Sequence, residues 1–85
     1  MPKVIYTFHA TNQLLERQIN KTVVEQILLK PDQLITDPKG YLIAQKIIAK
    51  NGFKFLYRVI FIRQEDCFKV LTVYRTTKIQ KYWVK

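Results

Sequence analysis

The chain has 85 residues, is 48% hydrophobic and 25% charged, and carries a formal net charge of +9. That length and composition describe one globular domain with a modest core, since compact domains usually run ~100–150 residues and rarely divide below that. One cysteine excludes a disulfide framework and a cysteine-based zinc site, one histidine excludes a multi-histidine metal site, and the absence of serine excludes a serine triad.

Val4 to Phe8 is a short apolar stretch that reads as an edge strand or a lead-in. Thr7 then caps a helix that starts at Phe8 or His9. Phe8, Leu15 and Ile19 share one stripe of that helix with Leu14 beside it, while His9, Gln13 and Arg17 form a polar face. Asn20 reads as the cap of a second helix running to about Lys30, whose apolar face is Val23, Val24, Ile27 and Leu28. Pro31 stops it, because a residue before proline is pushed out of the helical region.

Beyond Pro31 the period changes. Gln33 to Thr36 reads as a short strand, followed by the turn Asp37-Pro38-Lys39-Gly40. Tyr41 to Lys50 and Phe53 to Arg63 read as two strands joined by Asn51-Gly52, the strongest short hairpin signal. Gln64-Glu65-Asp66 is a polar turn, and Cys67 to Arg75 reads as the last strand. The tail from Thr76 to Lys85 is basic and aromatic and carries no clear pattern. The expected architecture is α+β: two N-terminal helices over about 8–30, packed on a curved antiparallel sheet of three to four strands over about 33–75. The basic tail, 76–85, completes a single domain.

The charge is placed unevenly. Acids and bases balance over residues 1–37, whereas residues 38–85 hold eleven basic residues against only Glu65 and Asp66. Such asymmetry attracts phosphates, and basic residues interleaved with Tyr, Phe and Trp are the usual footprint of a nucleic-acid partner. A solvated basic surface without a partner is the plainer reading. A membrane partner is not expected, since no helix is lysine-rich on one face and no apolar run approaches the ~20 residues of a span. The expected location is cytoplasmic.

Chemistry is expected at two places. His9 sits at a helix start, where free backbone amides attract phosphate, and histidine is the side chain suited to proton transfer near neutrality; it could equally brace helix against sheet. Arg17, two turns on, could hold phosphate or pair with an acid of the second helix. The densest cluster is Tyr74, Arg75, Lys78, Lys81 and Tyr82. Arginine offers a planar fork to phosphate oxygens, lysine a point charge, and tyrosine can stack or move a proton. Together with Arg58 on its strand, these residues could perform RNA cleavage without metal or cofactor. The catalytic candidates are therefore His9, Tyr74 and Lys78. Arg17, Arg58, Arg75, Lys81 and Tyr82 are the candidates for holding RNA. Cys67 reads as a buried or edge residue and Trp83 as a packing anchor.

The run His9-Ala10, Gln13, Arg17 and Ile19 resembles the His-Ala-x-x-Arg-x-x-x-Arg-x-Ile opening of a family of small bacterial proteins known as a domain of unknown function. Those proteins look like relatives of the RelE/ParE-type toxins of toxin–antitoxin systems. Val24-Glu25-Gln26-Ile27-Leu28 fits the same opening. Leu71-Thr72-Val73-Tyr74-Arg75-Thr76-Thr77-Lys78-Ile79 resembles the Thr-Val-Tyr-x-Thr-Ser-Lys closing segment. Gln13 stands where the family has its first helix arginine. The resemblance implies a ribosome-dependent or free endoribonuclease that cuts RNA without metal. It also implies an antitoxin that covers the basic face, or alternatively a non-catalytic RNA- or protein-binding module, including a gyrase-type inhibitor.

Overall fold

The computed structural model describes residues 2–85. Its elements are β1 (Lys3–Tyr6), α1 (Phe8–Arg17), α2 (Lys21–Leu29), β2 (Gln33–Thr36), β3 (Leu42–Lys50), β4 (Phe53–Gln64), β5 (Cys67–Thr76) and the single-turn α3 (Ile79–Tyr82).

Local chemistry explains most of these boundaries. The Thr7 hydroxyl accepts the N–H of Ala10 at 3.0 Å and starts α1. Gln18 ends it in the left-handed region at φ 53°, and Ile19 N–H closes back on the Leu14 carbonyl at 2.9 Å. Asn51 and Gly52 both take positive φ, 53° and 82°, as a two-residue hairpin turn requires. That turn pairs Lys50 with Phe53 and so fixes the whole β3–β4 register.

The sheet has five strands in the order β1-β5-β4-β3-β2 and is mixed. β2–β3, β3–β4 and β4–β5 are antiparallel, and β1 runs parallel to β5. This corrects the expected sheet of three to four antiparallel strands beneath two N-terminal helices. The rule that short connections give antiparallel neighbours governs strands adjacent in sequence. β1 obeys no such constraint: it pairs Lys3 with Cys67 and Tyr6 with Val70, across the length of the chain. The tail also adds a third helix, and β5 runs on to Thr76.

α1 and α2 cover one face of the sheet. Ala10, Leu14, Ile19, Val24, Ile27 and Leu28 from the helical segment meet Ala44, Tyr57, Val59, Phe61, Val70 and Val73 from the strands. Fully burying each large aliphatic side chain in this core contributes about 1.5–3 kcal/mol. The expected stripe of α1 is half right: Ile19 is buried, but Phe8 and Leu15 are 84% and 73% exposed. Leu14, expected beside the stripe, is in the core and Ala10 joins it, because α1 lies along the outer edge of β5 and turns that flank inward.

β1 covers β5 only as far as Val70, which leaves the outer edge of β5 open beyond it. α1 satisfies that edge. Thr7 N–H donates to the Val70 carbonyl at 3.1 Å, and the buried Gln13 side chain accepts the Val73 N–H at 2.9 Å. The other sheet face carries the tail. Leu56 points to that face and is fully buried, so the face is covered there as well. Among the described residues, no helix is long and apolar enough to cross a membrane.

Candidate functional site

The strands contain eight lysines and arginines and no acid; all six acids lie in helices and turns. On the face away from α1 and α2, the register aligns one polar residue from each of four neighbouring strands. Gln33 of β2 lies opposite Gln45 of β3, Gln45 opposite Arg58 of β4, and Arg58 opposite Tyr74 of β5. Directly opposed residues share a face and touch, and these four form a continuous chain of hydrogen bonds. Gln45 Nε2 donates to Gln33 Oε1 at 2.6 Å, Arg58 Nε donates to Gln45 Oε1 at 3.0 Å, and Arg58 Nη1 donates to the Tyr74 hydroxyl at 2.5 Å.

The tail crosses this row. Gln45 Nε2 also donates to the Tyr82 carbonyl at 3.1 Å, and Gln33 bonds both the N–H and the carbonyl of Val84. The Arg58 guanidinium stacks 4.3 Å from the centre of the Tyr82 ring and 5.7 Å from that of Tyr74. The two rings meet edge to face at 6.2 Å. Lys81 is exposed, with its ammonium 5.3 Å from the Tyr82 ring centre. Lys78 is exposed at the start of α3, where its backbone N–H is held by the Thr76 hydroxyl at 3.0 Å. The half-buried Arg58 has no carboxylate partner; the one ion pair among the described residues joins Lys46 and Asp32.

The structure thus brings Arg58, Tyr74, Tyr82 and Lys81 together, with Lys78 in the segment that leads into them. It places the remaining candidates elsewhere. His9 lies exposed at the first turn of α1, on the helical layer, whereas Tyr74 faces the opposite side of the sheet. Arg75, one residue after Tyr74, points to the helix side. Its Nη1 donates to the Arg17 carbonyl at 2.9 Å, and its guanidinium lies 5.7 and 5.9 Å from the Phe55 and Tyr57 ring centres. A cation at a helix C-terminus is favoured by the dipole, so Arg75 anchors the end of α1 to the sheet. The exposed Arg17 takes part through its carbonyl.

Sequence reading missed Gln33 and Gln45. A signal was present: Gln45 is a polar residue between Ile43 and Ile47 on one strand face. Counting outward from the Asn51-Gly52 turn sets it opposite Arg58.

A second feature lies on the helix side of the sheet, in β1. The Tyr6 hydroxyl is buried with no hydrogen-bond partner. Burial, with the charge of Glu25 adding to it, pushes the phenol up to about 12. The Lys21 ammonium sits 5.0 Å from the same ring centre.

Neither the curated proteins nor the solved structures contain a significant match to this chain. The family profile described as "Domain of unknown function (DUF4258)" matches residues 6–75, from the last residue of β1 into β5. The chain therefore belongs to the DUF4258 family.

Proposed function

We propose that the chain binds RNA across the tail-covered face and acts there as a toxin-type, metal-independent endoribonuclease of RelE/ParE kinship, neutralised by an antitoxin. The observation that carries this reading is Arg58. A guanidinium held half-buried by an amide and a phenol, with no carboxylate beside it, keeps its charge available for an anion from outside. Two tyrosine rings flank it on an acid-free sheet, Lys81 lies against one of those rings, and Lys78 stands exposed in the same tail. Phosphate contacts and base stacking are what single-stranded RNA recognition uses.

In the reaction, the ribose 2′-oxygen attacks the adjacent phosphorus and gives up its proton. The bond from phosphorus to the 5′-oxygen breaks, and that oxygen takes a proton. Arg58, Lys78 and Lys81 would stabilise the charge on phosphorus, and Tyr74 would handle a proton. The products are a 2′,3′-cyclic phosphate and a 5′-hydroxyl.

The separation of His9 from this cluster favours a second reading, a binding module without catalysis whose partner is RNA or a protein such as gyrase. One assay separates them: RNA incubated with the purified protein in excess chelator, with and without ribosomes, beside Tyr74→Phe and His9→Ala controls. Cyclic phosphate ends that vanish with Tyr74→Phe support the nuclease. Bound but intact RNA supports the binding module, and inhibited DNA supercoiling with no RNA binding supports the gyrase-type reading.

A further inference from the structure

We infer that Gln45 is a positioning residue for Arg58, orienting its guanidinium toward a substrate phosphate while leaving its positive charge unpaired. This rests on the RNA-binding reading of the same face.

Gln45 is fully buried, and every polar atom of its amide is committed. Its nitrogen donates to Gln33 Oε1 and to the Tyr82 carbonyl, and its oxygen accepts from Arg58 Nε. The amide cannot turn over. A reversed Gln45 would set its NH2 group against a guanidinium, which only donates, and would leave the Tyr82 carbonyl unserved. The orientation of Gln45 is therefore determined from both sides, and it fixes the plane of Arg58 in turn.

Charge explains why this position is an amide. Glutamate has nearly the same shape, and beside Arg58 it would form a buried ion pair. A paired arginine has little left to offer an incoming phosphate. Glutamine accepts the Nε–H and discharges nothing. Of the five N–H donors of arginine, one goes to Gln45 and one to Tyr74. The others have no protein acceptor, and Nη2 is not fully buried, so the terminal edge of the fork keeps donors to spare. That edge matches two oxygens of a phosphate group. Tyr74 is set by the same chain: its oxygen accepts from Arg58, so its own hydroxyl hydrogen is free for a phosphate oxygen.

The test is binding of a fluorescent oligouridine by anisotropy across a salt series, using wild type, Gln45→Glu, Gln45→Leu and Arg58→Met. Arg58→Met is expected to weaken binding about tenfold or more and to lower the salt slope by about one phosphate contact. Gln45→Glu should match it in both, because the new carboxylate neutralises Arg58. Gln45→Leu should weaken binding while leaving the slope unchanged, because the charge stays but its orientation is lost. A role confined to holding the tail would lower the melting temperature and leave the slopes alike. If both Gln45 variants bind as wild type while Arg58→Met does not, Arg58 acts without Gln45 and the inference is overturned. If Arg58→Met also binds as wild type, the RNA-binding reading of this face falls first. Should the Gln45 variants fail to fold, the Arg58 guanidinium resonances of the wild type decide. Slow exchange of Nε–H, with terminal N–H signals that move on adding oligouridine, supports the inference. Exchange of Nε–H as fast as in free arginine overturns it.

Discussion

Gln13 on α1 and Val73 on β5 are joined by a hydrogen bond between a buried side-chain carbonyl and a backbone N–H, across 60 residues of sequence. The bond sits where β1 no longer covers β5, so Gln13 replaces a missing strand at one position. Gln13 thus serves as a buried hydrogen-bond acceptor. Arginine carries no acceptor and cannot make this bond. Gln13→Leu should destabilise the fold by about 1–3 kcal/mol, the cost of a buried donor left unpaired. Gln13→Arg should cost at least as much, because it also places a cation there. The urea midpoint, read with an unchanged m-value, measures both.

Tyr6 predicts an alkaline limit. Its phenol is pushed up to about 12 from an ordinary value of 10.0, so the folded state holds this proton more tightly than the unfolded chain. The resulting stability is fully present below about pH 10 and is lost as pH rises from there toward 12. Tyr6→Phe removes the ionisation and should flatten the fall in melting temperature above about pH 10. Near neutrality the same substitution should be neutral or mildly stabilising, since the hydroxyl it deletes has no partner.

The two sheet faces predict a contrast among apolar substitutions. Leu56→Ala, beneath the tail, should cost about 2–5 kcal/mol, as for other fully buried leucines. Phe8→Ser and Leu15→Ser should stay within about 0.5 kcal/mol despite the apolar character of both residues, because they are exposed. Thermal melts of the three variants decide whether the tail closes a true second core.

RNA binding, if it follows the proposed face, should be steeply salt-dependent. For ~6–10 phosphate contacts, affinity falls by about 10³–10⁵ between 50 and 200 mM salt. His9→Ala should leave that affinity within about twofold, because the residue lies on the helical layer away from Arg58, where a rim change is worth little. A flat salt response in filter binding would remove RNA from consideration in either of its forms.

Most local structure was legible from single residues. Thr7, Pro31 and the pair Asn51-Gly52 act through backbone chemistry that is confined to a few positions, so their effects can be read without a fold. The β1–β5 pairing was not legible, since no local signal links Lys3 with Cys67. Nor was the exposure of Phe8 and Leu15. Their spacing marks a helical stripe, but which stripe faces inward depends on the edge of β5 that α1 happens to flank. At the site, Arg58, Tyr74 and Tyr82 were legible as residue types suited to phosphate. Their separation from Arg75 follows from strand alternation, which sends neighbours to opposite faces. Gln45 lacked any chemical label of its own and gains its meaning only beside Arg58.

The parallel pairing of β1 with β5 separates the order of synthesis from the order of assembly. The β3–β4 hairpin closes on its own two-residue turn and can form as soon as it is made. β1 is made before β5, yet its hydrogen-bonding groups and the side chains of Val4, Ile5 and Tyr6 find no place until β5 exists. Thr7 and Gln13 wait on the same strand. Joining segments so distant in sequence requires a large loop to close first, which slows folding. A nascent chain therefore carries the apolar residues of β1 unsheltered until β5 has been made, and that interval is when self-association or a chaperone would find them.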